Sequence, residues 1–205
     1  MFVAGLIRMH CDLIDIRNYR VGLPPTDSFH GFDVCAVDQI PSSEGWVPIQ
    51  DVSFSRGMPI WSGKFAEKNS WNIPGPFYGA CTDTCATGPA EAPANVMLDF
   101  EGQEFLFRQP ANEQELRRVI CAAMVDPFEG YGADGDENWT LGSIRNWWRE
   151  RDRLFSLLDD LKNTNQDVEA WVRFMALLAE SYLRQYAYFV EERKLPGDSD
   201  LLPNL

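Results

Sequence analysis

Between Asp126 and Trp139 the chain changes character, and no other stretch limits its folding choices as much. Ten of the thirteen prolines precede Ala111. Proline cannot donate to an interior ladder, so the first part should consist of short strands and long ordered loops. From Thr140 to Arg193 apolar residues instead recur at helical spacing. The dividing stretch carries Asp126, Glu129, Asp134, Asp136 and Glu137 with no basic residue until Arg145, interleaved with Phe128, Tyr131 and Trp139.

In the first part, Leu13 to Ile16 with its flanks reads as a strand stopped by Gly22 and the Pro24-Pro25 pair, and Phe32 to Ile40 as a second closed by Pro41. Trp46 to Phe54 and Met58 to Trp61 are extended runs broken by proline and glycine. The clearest strand signal is Val96–Phe100, then Glu101-Gly102, then Gln103–Phe107. A two-residue turn there would pair Leu98 with Phe105 and Val96 with Phe107, placing Val96, Leu98, Phe100, Phe105 and Phe107 on one core-facing side.

Asn112 followed by Glu115 has the form of an N-cap with a reciprocal acid, opening a short helix to about Val125. Thr140 should cap a second helix running to Leu161, with Ile144, Trp147, Trp148, Leu154, Phe155 and Leu158 inward. Asn163-Thr-Asn165 reads as a tight turn into a last helix from Asp167 to Arg193, whose inward positions include Trp171, Met175, Leu178, Tyr182, Tyr186 and Phe189. Glu169 with Arg173 and Glu180 with Arg184 stand at the favourable acid-before-base spacing. The pattern predicts an α+β fold: an irregular, mostly antiparallel sheet from the amino-terminal half, packed against a carboxy-terminal antiparallel helical hairpin plus one short helix.

A chain of 205 residues suits one domain, with residues 1–111 rich in strands and loops, 112–195 helical and 196–205 a loose tail. Its hydrophobic fraction of 45% and charged fraction of 24% are those of an ordinary globular protein. Net charge is the outlying property, at −13, and it is spread over both halves. Such a field repels nucleic acid and anionic membranes and favours a basic partner or plain solubility. Five scattered cysteines, Cys11, Cys35, Cys81, Cys85 and Cys121, suit a reducing cytoplasm better than a disulfide framework. Met1 to Ile7 is apolar but too short for a signal-peptide core, and Met9 is a second candidate start. No window reaches the roughly 18 apolar residues of a membrane span.

Several chemistries can be weighed against these residues. Cys81 and Cys85 would need further ligands from His10, Cys11, His30 or Cys35 to hold zinc, and no spacing points to them. A cysteine nucleophile would have to meet His10 or His30, again without a local signature. The common serine-elbow, Walker, dinucleotide and zincin motifs do not occur. Asp134, Asp136 and Asn138 alternate as in a calcium loop, but Trp139 and Arg145 stand where that loop needs glycine and a bidentate acid. A looser divalent site from Asp126, Glu129, Asp134 and Asp136, with Arg145 and Arg149 holding phosphate, would support a metal-dependent hydrolase or transferase. A purely structural reading also fits, because acids ahead of a helix are stabilised by its exposed amides. Trp147, Trp148 and Trp171 sit at core spacing rather than on a basic stacking surface.

The leading expectation is a non-enzymatic, cytoplasmic, acidic binding protein without metal or cofactor, engaging a basic protein partner as inhibitors and toxin-neutralising immunity proteins do. The expected contact surface is Glu129, Tyr131, Asp134, Asp136, Glu137 and Trp139, since long-range attraction speeds association while aromatic rings supply contact area.

Overall fold

The computed structural model describes residues 61–155 and 168–205. The strands expected at Leu13–Ile16, Phe32–Ile40 and Trp46–Phe54, and the turn at Asn163-Thr-Asn165, lie outside the described residues. Within them the architecture is α+β: two small antiparallel sheets and a carboxy-terminal helical part. After a 3-10 turn at Phe65–Glu67, the order is β1 (Tyr78–Gly79), α1 (Thr87–Glu91), β2 (Val96–Leu98), β3 (Glu104–Leu106), α2 (Glu113–Val125), β4 (Tyr131–Gly132), α3 (Gly135–Asn138), α4 (Leu141–Arg149), α5 (Val168–Leu177) and α6 (Ala179–Glu192). No helix among the described residues is long and apolar enough to cross a membrane.

The expected hairpin forms, one register away from expectation. Val96 faces Leu106, Met97 faces Phe105 and Leu98 faces Glu104. The cause is the loop. Asp99 N–H donates to Gln103 O at 2.9 Å and Gly102 N–H to Asp99 O at 3.1 Å, so Phe100, Glu101 and Gly102 form a three-residue connection. Gly102 takes the left-handed conformation, φ 82°, that this loop class requires. Asp99 Oδ1 accepts from the amides of Glu101 and Gln103, fixing the turn. The slip moves Phe100 out of the core, to 59% exposure, while Phe105 and Phe107 remain buried beside Met97.

Buried amides knit this hairpin to the segment before it. Asn72 Oδ1 accepts from Gly79 N–H and Leu106 N–H, both at 2.9 Å, and its Nδ2 donates to the Gly79 carbonyl. Gln109 likewise accepts from Phe77 N–H and donates to the Phe77 carbonyl. Each side chain stands in for a strand edge, so short strands gain partners that their own length cannot supply.

Asn112 caps α2 by accepting from Glu115 N–H at 3.0 Å, while Glu115 reaches back to the amide of Ala111. Thr140 and Ser143 form a reciprocal capping box at the start of α4. The expected last helix is interrupted: Leu178, φ −123°, separates α5 from α6 and is itself exposed. The inward face nevertheless continues across the break as expected: Tyr182, Tyr186 and Phe189 are buried, together with Ala179, Leu183 and Ala187, while Leu178 itself turns out. Arg184 does not serve Glu180 but donates to the carbonyls of Leu202 and Pro203, and Arg145 donates to that of Asn204 at 2.8 Å. Leu205 packs on the core. The tail expected to be loose is therefore docked against α4 and α6.

One apolar cluster joins both parts. Trp71, Met97, Phe105 and Phe107 meet Trp147, Trp171, Tyr182 and Phe189 in it. Trp171 lies 5.5 Å from the Trp71 ring centroid and 5.7 Å from that of Phe105. Trp148, expected inward, is only half-buried, with the Arg151 guanidinium 4.4 Å over its ring.

Candidate partner-binding surface

The stretch from Asp126 to Trp139 is folded onto the sheets rather than standing off as a free loop. Asp126 is buried, and its carboxylate accepts from Asp83 N–H, Phe128 N–H and Gly130 N–H at 3.0, 3.2 and 2.7 Å. These bonds hold a tight turn in which Glu129 takes a positive φ of 53°. The chain then enters β4, pairing Tyr131 with Gly79 and Gly132 with Tyr78. The acidic stretch thus supplies a strand, which a two-residue element cannot announce in sequence.

The six expected contact residues divide evenly. Glu129, Asp134 and Glu137 are exposed, whereas Tyr131, Asp136 and Trp139 are buried. Tyr131 is fully enclosed, and its hydroxyl donates to Glu104 Oε2 at 2.6 Å. Asp136 accepts from the Tyr186 hydroxyl at 2.9 Å, and its backbone carbonyl accepts from Arg193 at 2.5 Å, so it joins the stretch to α6. Trp139 packs edge-on to Phe65 with ring centroids 5.2 Å apart, and the Lys68 ammonium lies over both rings. Burial holds the Lys68 ammonium below its ordinary value. These three residues cannot touch a partner in this conformation. Among the exposed acids, Asp134 accepts from the Tyr78 hydroxyl and from Asn138, and Glu129 accepts from Ser62 Oγ at 3.0 Å.

The exposed aromatic residue here is Phe128, at 70%, which the sequence reading left out of the surface. It lines a groove of about 760 Å³ that also contains Trp71, Cys81 and Phe100 and is bordered by three acids, Glu67, Asp99 and Glu101, and one base, Lys68. The hairpin slip brings Phe100 here, so residue patterning could not have found it. Asp99 is occupied, accepting from Asn69 Nδ2 at 2.7 Å in addition to its turn amides. Glu67 carries only an exposed contact with Lys64, worth well under about 1 kcal/mol.

The divalent site weighed from Asp126, Glu129, Asp134 and Asp136 does not assemble: their oxygens are taken by amides and hydroxyls on different elements. Among the described residues no three histidine, cysteine, aspartate or glutamate side chains are placed to hold a metal ion. Cys81 and Cys85 are exposed free thiols, whereas Cys121 is disulfide-bonded, against the fully reduced set of cysteines expected from the sequence; His10, Cys11, His30 and Cys35 lie outside the described residues. Compared with known protein families, with curated proteins and with solved structures, the chain finds no match.

Proposed function

We propose that this is an acidic binding protein that engages a basic protein partner through the groove face, acting as an inhibitor or immunity-type protein rather than as an enzyme. The observation that carries this reading is the pair of exposed rings, Phe100 and Phe128, lining one groove edged by Glu67, Asp99 and Glu101. Exposed rings among carboxylates fit a contact whose centre is apolar and whose rim is charged. With a net charge of −13 behind it, the face would draw a cationic surface in quickly, and the rings would then hold it.

The test is retention of partners by the immobilised intact chain. The expected result is a protein of net positive charge, held at low salt and released as salt rises, and no longer held by the Phe100→Ser, Phe128→Ser double variant at unchanged melting temperature. A partner that is neutral or acidic, or one that the double variant holds as well as the parent, would overturn the reading.

A further inference from the structure

A second cleft, of about 620 Å³, lies between the end of α1 and the first turns of α2, and it shares no lining residue with the groove. Its walls bring together Glu91, the last residue of α1, Asn95, just ahead of β2, and Arg118 on α2. Local bonds fix the first two. Ala92 N–H closes α1 on the Gly88 carbonyl at 2.7 Å, and Asn95 N–H folds back onto the Ala92 carbonyl at 2.9 Å. The Asn95 carbonyl in turn accepts from Phe107 N–H at 3.0 Å, which ties this wall to the hairpin.

Two acceptors here are poorly supplied with donors. Asn95 Nδ2 donates to the Arg108 carbonyl and to Glu115 Oε2, both at 3.2 Å. Since both partners can only accept, the amide nitrogen must face them, and the enclosed Oδ1 is left without a donor among the described residues. Glu91 is 9% exposed, and its Oε2 meets only Arg118 Nη1 at 3.5 Å, long for a charge-assisted bond. The Cys121 sulfur stands 3.4 Å from the same oxygen, but a disulfide sulfur has no hydrogen to donate. Glu115 differs: it accepts from Arg108 at 2.6 Å and from Ala111 N–H at 3.0 Å as well as from Asn95, so its role is structural. A carboxylate as buried as Glu91 ordinarily holds a close partner.

We propose that this cleft binds a small zwitterion of the basic amino-acid class, its side-chain cation donating to Glu91 and Asn95 Oδ1 and its carboxylate meeting Arg118. The Arg118 guanidinium is half-exposed and engages only Nη1, so its remaining donors are open to a ligand. With Nη1 turned to Glu91, those donors lie away from the acid, and the ligand's two charges must be separated by an extended side chain, as in arginine or lysine. A bare cation would be repelled by Arg118 and a bare anion by Glu91, so the pair selects a molecule that carries both signs. The volume and the few convergent polar groups are those of a small-molecule site. The net charge of −13 favours approach of the cationic end. This site is separate from the groove face and stands whether or not that face binds a partner.

Calorimetric titration of the intact chain with L-arginine and L-lysine tests the site. Saturable binding of at least one is expected, with L-citrulline, which lacks the side-chain charge, weaker than L-arginine by about tenfold or more. Glu91→Gln, which keeps the shape, should weaken binding by about tenfold or more, whereas Glu169→Gln on the exposed side of α5 should stay within about twofold, which separates a site from diffuse attraction to an acidic chain. Arg118→Met should weaken L-arginine by about tenfold while agmatine, its decarboxylated analogue, binds as tightly as before or more tightly. Should Glu91→Gln fail to fold, that split decides. Absence of saturable binding at millimolar L-arginine and L-lysine, equal affinity for L-citrulline, an equal effect of Glu91→Gln and Glu169→Gln, or parallel loss of L-arginine and agmatine in Arg118→Met would overturn the proposal.

Discussion

Asp136 shows how a carboxylate that looks like surface charge in sequence can belong to the interior. It is buried, and Tyr186 donates to it. Burial first, then the charge of Asp136, pushes the Tyr186 hydroxyl well above its ordinary value, so it stays a donor throughout the ordinary pH range. Removing the acceptor would strand an enclosed hydroxyl. Asp136→Ala should therefore cost about 1–3 kcal/mol in urea unfolding, whereas the exposed neighbour change Glu137→Gln should stay within about 0.5 kcal/mol. A cost at Glu137 equal to that at Asp136 would contradict the division of this stretch into inner and outer acids. Nothing in the alternation of Asp134, Gly135, Asp136 and Glu137 distinguishes them. The distinction comes from α6, fifty residues away, and tertiary partners of that kind leave no local trace.

At the scale of elements, capping chemistry was legible and pairing register was not. Asn112 with Glu115 and Thr140 with Ser143 close their helices through neighbours three residues on, so the information is local. The hairpin loop is ambiguous because a Glu101-Gly102 pair suits a two-residue turn as well as a three-residue loop ending in a left-handed glycine. The side-chain bonds of Asp99 decide between them. Because Gly102 sits at φ 82°, with Thr84 as its nearest neighbour at 3.4 Å from a built Cβ, the cost of a substitution here is mainly backbone strain. Gly102→Ala should cost about 1–2 kcal/mol and Gly102→Asn distinctly less, as read from urea midpoints. Equal costs would show that the loop does not require the left-handed conformation. The break at Leu178 was equally hidden, since no glycine or proline marks it.

Over the whole molecule, the apolar cluster draws on the strand-rich part and the helical part together. The sequence places Trp171 on an inward helical face, but not which strand residues it would meet, because that depends on how the helices lie across the hairpin. Trp71 and Phe105 are those partners. The Trp147 indole adds a bond to the Ser70 carbonyl at 3.2 Å, and the Tyr182 hydroxyl one to that of Pro74 at 2.6 Å. Removing the helices would expose Trp71, Ile73, Met97, Phe105 and Phe107 at once, so a chain ending at Ala111 should lack a cooperative thermal transition. Trp171→Ala in the full chain should cost about 3–5 kcal/mol. Since Trp171 lies directly on Trp71, a cycle with Trp71→Ala should show coupling of about 0.5–3 kcal/mol, the double change costing less than the two single costs added. Strict additivity, together with cooperative melting of residues 1–111 alone, would mean that the two parts are separate domains whose aromatic contact contributes little to either.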